Sequence, residues 1–293
     1  MLEITSLRPV AAGNSWLLKT EVGAAVYDTG FACTAAEAVH MLRPRLNGQP
    51  LSFILLSHSH YDHASGTGIF AAAFPEAEVC AGAHAAHVFT RPGARKTMRE
   101  LNAVAAEQYG RSPDDASIDS LAVDRILRDG DQVSLGDCVL EVWETPGHTK
   151  CSLSFWCPAE GLLLGSETMG IPSGPIPEDE NFLVVPSCMT GVENALRAIE
   201  RALEARPEQV LIPHTGLVTG SKALRYLQAA HRGAEAGRDM VLRGARDGKS
   251  EKELVLEWKQ RFYTPETARI QPEAAFDLNA GYIIPAILKE YGL

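Results

Sequence analysis

The sequence contains no Cys-x-x-Cys pair, no apolar run approaching a membrane span and no surplus of positive charge. Each absence removes a class of protein. Six cysteines (Cys33, Cys80, Cys138, Cys151, Cys157, Cys188) are scattered along 293 residues. A chain this long buries roughly 75% of the surface its unfolded form exposes, so it needs no disulfide staple. Free thiols in a reducing cytoplasm are the expectation. Without an apolar stretch of roughly 18–20 residues, no membrane span is expected. The opening Met-Leu-Glu-Ile lacks a basic segment followed by an apolar one, so no signal peptide is read there either. With 27 Lys+Arg against 37 Asp+Glu the net charge is −10, which disfavours a phosphate-backbone interface and sets nucleic acid aside as a partner. A small anionic substrate stays open, because a local metal or Arg overrules net charge. Gly (25) and Pro (17) are at ordinary levels, so the chain is neither collagen-like nor low-complexity. No solenoid-period repeat is present. No G-x-S-x-G elbow exists, which argues against a serine hydrolase of the α/β-hydrolase kind.

What is present reads as a strand-rich α/β core followed by helices. Residues 15–19 and 24–27 are short apolar runs separated by Thr20-Glu21-Val22-Gly23, a hairpin pattern, and Asp28-Thr29-Gly30 then turns the chain. Thr34-x-x-Glu37 has the form of a capping box, and Pro44 predicts that the helix it opens stops near Arg43. Residues 52–56 (SFILL) are the continuous apolar run of a strand buried on both faces. A helix over 68–74 and a strand over 78–81 follow. Residues of about 90–120 read as a helical insertion, with a helix over 94–109 and an acidic loop over 112–120. Strand signals recur at 125–127, 138–143, 153–156, 161–164 and 209–212. The segment 170–186 holds four prolines and reads as a long loop. Thr190-x-x-Glu193 predicts a helix through Leu203. Beyond Ser221 the pattern is helical, with Gly244 as a stop and a second capping box at Ser250-x-x-Glu253. The expected division is therefore 1–220 as the core domain and 221–293 as a helical extension. An apolar tail helix (residues 282–288) packs either internally or against a second copy in a homodimer.

The decisive segment is Ser57-His58-Ser59-His60-Tyr61-Asp62-His63, directly after the SFILL strand. It places four metal-ligand side chains within six residues. His58 and His60, two apart, face the same side of an extended turn, and Asp62 and His63 swing to a neighbouring position. Three further donors follow strands in the same way: His148 after Thr145-Pro146-Gly147, Glu167 after Gly165-Ser166, and His214 after Pro213. Sites of α/β folds assemble at the carboxyl ends of strands, where loops converge. Five of the nine histidines fall in this arrangement. A lone His after a strand is more often a polar cap than a ligand, and the H-x-H-x-D-H cluster is what overturns that reading for His148 and His214. Imidazole and carboxylate together suit zinc, with iron or manganese as alternatives.

This constellation resembles the metallo-β-lactamase superfamily, over roughly residues 14–220, through SHSHYDH, PGHT, the GSE element and PHTG. The resemblance implies an α/β fold of the four-layer αββα sandwich type, here with a helical insertion and a helical C-terminal extension. It implies two divalent metal ions: His58, His60 and His148 on the first, and Asp62, His63 and His214 on the second. The family usually bridges the two with Asp, where this chain has Glu167. The extra methylene pushes the carboxylate further from its strand, so either the loop retreats or one ion is held with altered geometry. Two divalent ions about 3.5–4 Å apart share a water and lower its pKa toward 7, so no side-chain nucleophile is needed. Asp62 is the implied catalytic residue, combining ligation with orienting the hydroxide. Asp28, after a strand, is a candidate to fix an imidazole tautomer.

Other signals carry less. Gly66-x-Gly68-x-x-Ala71 matches a relaxed dinucleotide fingerprint but follows the His cluster rather than a strand, so its small residues are read as letting a helix pack closely. His84 and His87 read as a solvated helix face, and Cys151 as a buried inert thiol. Flavodiiron-type members carry Glu where His60 stands. The helical insertion and tail resemble the layout of the quinolone-signal-response thioesterase group, whose helices close over the metals and shape an acyl pocket. The reading is a di-metal hydrolase of an ester or thioester of a small acyl compound. The alternatives are a phosphodiesterase on a small phosphorylated substrate, and a regulatory or binding protein with incidental hydrolysis.

Overall fold

The computed structural model describes residues 1–10, 13–112, 118–177 and 182–293, with the side chain of Ile270 left aside. Part of the expected acidic loop (residues 113–117) and part of the 170–186 segment (178–181) lie outside the described residues. Two compact units make up the chain: Met1–Glu144 with Leu153–Glu160, and Thr145–Ser152 with Gly161–Leu293.

The first unit carries a mixed six-stranded sheet in sequence order: β1 (Glu3–Ser6), β2 (Ser15–Lys19), β3 (Ala24–Thr29), β4 (Phe53–Leu55), β5 (Glu78–Gly82) and β6 (Arg125–Leu127). The first three strands pair antiparallel, and the remaining pairs are parallel. Parallel neighbours need crossovers, and helices supply them. These are α1 (Ala32–Leu46), then α2 (Tyr61–Ala64) with α3 (Thr67–Ala73), then α4 (Ala83–Thr90) with α5 (Pro92–Gln108). A meander of β7 (Gln132–Ser134), β8 (Val139–Glu144) and β9 (Leu153–Cys157) completes the unit. The meander faces the six-stranded sheet: the Tyr27 ring of β3 stands edge-on to Phe155 of β9, 5.8 Å between centroids. At the sheet margin Gly23 touches Leu135, where a Cβ would lie 2.8 Å from backbone atoms.

Two local readings give way here. Helix α1 starts two residues before Thr34, with Phe31 at its N-cap, and Glu37 pairs with Arg111 at 2.7 Å instead of closing a capping box. Pro44 does not end this helix. It sits in the last turn, where its missing N–H leaves only the carbonyl of exposed His40 to water, and Asn47 in the left-handed region closes the helix. The expected insertion helix is α5, and it is fastened to the unit's core. Buried Asn102 accepts from the Ala32 N–H at 3.0 Å and donates to Ser65 Oγ at 2.7 Å.

The second unit contains β10 (Leu162–Leu164), β11 (Ile171–Pro172), β12 (Val184–Val185), β13 (Gln209–Ile212) and β14 (Gly216–Thr219). β10 and β13 pair parallel across helix α6 (Val192–Ala205), and β13 turns back on β14. The long proline-rich segment is thus not wholly loop, since β11 and β12 form a short antiparallel pair within it. Helices α7 (Ser221–Arg246), α8 (Glu251–Phe262), α9 (Thr267–Ile270) and α10 (Glu273–Glu290) follow. The Ser250–Glu253 capping box forms with both hydrogen bonds. Gly244 does not stop α7. It lies inside the helix, where a Cβ would meet Leu254 at 2.5 Å. Thr190 does not cap α6 either: its hydroxyl donates to the Gly147 carbonyl at 2.9 Å. The cap comes from the far end of the chain, where the Glu290 carboxylate accepts from Val192 N at 2.8 Å and Glu193 N at 3.4 Å. The apolar tail buries Ile283, Ile284 and Ile287 and leaves Tyr282 exposed.

Candidate metal centre

In the first unit the donor loop leaves buried β4 and closes one helical turn, α2, with His60 at its N-cap. That turn brings His60 and His63 back beside His58. The His58 ring lies 4.7 Å from His60 and 4.1 Å from His63, centroid to centroid, and Asp62 Oδ2 lies 3.7 Å from His63 Nε2. His58 and His63 are fully buried, while His60 and Asp62 are half-buried. The turn is docked to the end of β3 by Gly30 N donating to His63 O (3.1 Å) and Gly66 N donating to Gly30 O (3.1 Å). Gly66 permits this approach, because a Cβ there would stand 2.4 Å from the Thr29 carbonyl. The expectation that small residues let the chain pack closely beneath this loop holds.

Asp28 orients the loop. β2 and β3 pair as Ser15↔Thr29 and then Trp16↔Tyr27, so Asp28 is the extra residue of a bulge, with φ of 56°. Bulges re-aim a side chain, and a non-glycine residue in the left-handed region costs strain that the surroundings must offset. The carboxylate accepts from Ser57 N (2.7 Å) and Ser57 Oγ (2.8 Å), and meets His63 Nδ1 at 2.7 Å. Ser57 Oγ also lies 2.9 Å from His58 Nδ1. With Nδ1 engaged on both rings, Nε2 is the nitrogen each presents as a donor. Asn14 Nδ2 is 3.3 Å from His63 Nε2.

The second unit holds the other three donors. His148 lies in the turn leaving β8, and Glu167 opens a 3-10 turn (Glu167–Met169) directly after β10. His214 follows β13 with φ of 59°. Glu167 spans the two rings, with Oε2 3.0 Å from His148 Nε2 and Oε1 2.5 Å from His214 Nε2. Burial works against the Glu167 charge, yet His148 and His214 together hold its carboxyl well below the usual range. Ser187 Oγ lies 2.7 Å from His148 Nδ1. Thr168 accepts from His148 N (3.1 Å) and donates to Thr145 O (2.6 Å), which binds the histidine turn to the Glu167 turn. The extra methylene of Glu167 is thus taken up in reaching both imidazoles. Each unit presents a mixed imidazole and carboxylate donor set of the kind divalent ions take.

The model of the metallo-beta-lactamase superfamily matches residues 8–209 of the sequence. The chain belongs to the metallo-β-lactamase superfamily. Two hydroxyacylglutathione hydrolases, from Methylobacterium sp. (strain 4-46) and Methylobacterium nodulans, are each 32% identical to it over 122 and 142 residues. The matched stretches make up 42% and 47% of this chain but only 35% and 43% of those relatives, so the chain spans less than half the length of each. Among solved structures, a metallo-beta-lactamase family protein from Thermus thermophilus aligns with a TM-score of 0.64 at 20% identity. The alignment covers 100% of this chain and 93% of that one. A beta-lactamase domain protein from Burkholderia ambifaria aligns at 0.63 and 18%, covering 99% and 86%. At such identities the likeness is one of fold. The metallo-β-lactamase fold here is the expected α/β sandwich of mixed sheets with flanking helices and a helical C-terminal extension.

His84 and His87 are exposed on α4 with ring centroids 6.2 Å apart. Cys151 is buried with its sulfur 3.3 Å from Thr149 Oγ1. Sequence reasoning named the candidate donors and Asp28 but missed Asn14, Ser187 and Thr168, and gave Ser57 no role although it begins the histidine motif. Asn14 and Ser187 carry no local signal, because they meet their histidines across 49 and 39 residues. Among the described residues no helix is long and apolar enough to cross a membrane.

Proposed function

We propose that this superfamily member is a metal-dependent hydrolase of an ester or thioester of a small acyl compound. The observation that carries this is the fastening of His58, His63 and His148 at Nδ1 by Ser57, Asp28 and Ser187, which leaves Nε2 as the ring nitrogen each can turn to a metal. The family resemblance of the motifs assigns His58, His60 and His148 to one divalent ion and Asp62, His63 and His214 to a second, with Glu167 as the bridge. Zinc suits this set. Bound ions of this kind supply Lewis acidity and lower the pKa of water. The chain's own residues supply the rest. Asp28 holds the proton on His63 Nδ1, Glu167 brings negative charge, and Asp62 orients the attacking hydroxide. The hydroxyacylglutathione hydrolase relatives, named for a thioester substrate, support the bond class.

The same proposal takes 1–220 as the metal-binding domain with 221–293 as a helical extension, and a cytoplasmic setting in keeping with six buried cysteines outside any disulfide. Its partner is a small molecule, with the tail helix as the candidate contact of a homodimer. The test is to load the protein with zinc, iron or manganese and assay it against thioesters, lactones and bis-p-nitrophenyl phosphate. Turnover of thioester or lactone that disappears with a chelator is expected. Turnover of the phosphodiester alone, or of nothing with metal fully bound, sinks the reading.

A further inference from the structure

Away from the donor loops, the first unit brings two cysteine sulfurs into contact. Cys138 immediately precedes β8, and Cys157 is the last residue of β9. These strands pair antiparallel with Glu141 opposite Trp156, which sets Cys138 and Cys157 diagonally on one face. Their Sγ atoms are 2.9 Å apart, and both residues are buried, at 2% and 0% exposure. A disulfide bond is about 2.0 Å long, so closing the gap by roughly 0.9 Å would join them. The four other cysteines are also buried thiols outside any disulfide.

The surroundings of the two sulfurs differ. Cys157 leads into the 3-10 turn Pro158–Glu160 and accepts hydrogen bonds from the N–H groups of Glu160 and Ala159. The thiol of Cys138 donates to Cys157, and this contact, more than the backbone donors, holds Cys157 below the ordinary thiol range against the effect of burial. Cys138, which keeps the proton, is pushed up. A sulfur poised as thiolate beside a second thiol is the arrangement that resolves to a disulfide once oxidised, and because both sulfurs are buried the end of the hairpin must open for a peroxide to reach Cys157.

We propose that Cys138 and Cys157 are a reversible redox pair that closes to a disulfide across the β8–β9 hairpin when the protein meets a hydroperoxide. The Cys157 thiolate attacks one oxygen of the peroxide. Its O–O bond breaks, Cys157 becomes a sulfenic acid, and the leaving oxygen departs as water (or an alcohol) with the proton that Cys157 gave up. Cys138 then attacks Cys157 Sγ, and the sulfenic oxygen leaves as water with the Cys138 proton. Two thiols and one peroxide give one disulfide and two molecules of water, or one water and one alcohol. The cross-link staples a hairpin whose connecting segment, residues 145–152, carries His148. No metal donor takes part, so the pair stands whether or not the hydrolase reading does.

The experiment treats the reduced full-length protein with one equivalent of hydrogen peroxide, followed by alkylation and peptide mapping without reductant. The expected result is a linked peptide pair containing Cys138 and Cys157. The thiol titre in denaturant should fall from six to four and return to six with dithiothreitol. Oxidised protein should melt a few degrees higher than reduced protein, as expected for closing a loop of this size, and Cys157→Ser should abolish that shift. In Cys138→Ser, dimedone should trap the sulfenic acid at Cys157. Six thiols retained after peroxide, or a disulfide joining any other two cysteines, overturns the proposal. The wild-type map decides even if a variant fails to fold.

Discussion

The Asp28 carboxylate and the Nδ1 of His63 meet at 2.7 Å, with Asp28 held on a strand bulge at φ of 56°. The same carboxylate takes both hydrogen atoms that Ser57 offers, at 2.7 and 2.8 Å. One buried acid therefore sets the start of the donor loop and the tautomer of its last histidine.

Replacing that acid should damage metal binding more than folding. Asp28→Asn keeps the shape but removes the anion and leaves an amide to face either Ser57 or His63 correctly, not both. Metal affinity should drop about 10–100-fold, as for lost partners of ligating histidines. Competition titration against a chromogenic chelator measures this, and an unchanged affinity would show that Asp28 is only a packing residue.

Ser187 offers an independent check on the other unit. Its hydroxyl is the partner of His148 Nδ1 at 2.7 Å. Ser187→Ala should weaken metal binding, and Ser187→Thr, which keeps the hydroxyl, should restore most of it. Equal behaviour of the two variants would contradict a positioning role.

Metal content itself tests the ligand assignment. Purified protein should carry close to two divalent ions per chain, and His60→Ala should carry fewer, because the half-buried His60 stands at the N-cap of α2 with its ring beside His58 and makes no capping hydrogen bond. Elemental analysis reads this directly. No transition metal in either protein would refute the assignment.

Two glycines in helices should respond with opposite signs to the same substitution. In α7 a Cβ on Gly233 would lie 2.5 Å from the Val184 carbonyl, whereas in α10 nothing approaches Gly281 within 4 Å. Alanine improves helix propensity at both by up to about 1 kcal/mol. At Gly281 that gain should appear as a higher Tm. At Gly233 overpacking of about 1–3 kcal/mol should exceed it and lower Tm. Thermal melts of Gly233→Ala and Gly281→Ala, run together, check the sign of each.

Much of the candidate centre was legible in the amino-acid order alone. The donors sit in dense or repeated local patterns, SHSHYDH and then a ligand just after each of three strands, and such patterns need only a few neighbouring residues to be read. The apolar run that becomes β4 and the Ser250–Glu253 box on α8 were legible for the same reason. Their hydrogen bonds and burial follow from side chains within one turn or one strand.

What only tertiary structure decided involves partners far apart in the chain. Thr34 and Thr190 carry the local form of helix caps, yet Glu37 is drawn to Arg111 and Thr190 to Gly147, while Glu290 caps α6 across 98 residues. Gly244 looks like a stop, but Leu254 packs against it inside α7. The left-handed bulge at Asp28 exists because β2 and β3 slip register by one residue, and Ser187 reaches His148 only once its segment is folded back. Local propensities of a fraction of a kcal/mol yield to such contacts, because packing and buried hydrogen bonds contribute more than a cap preference. The sequence by itself determined which side chains can bind metal and the family they belong to. The fold decided which nitrogen of each buried imidazole is presented, since that depends on oxygen atoms contributed from elsewhere in the chain.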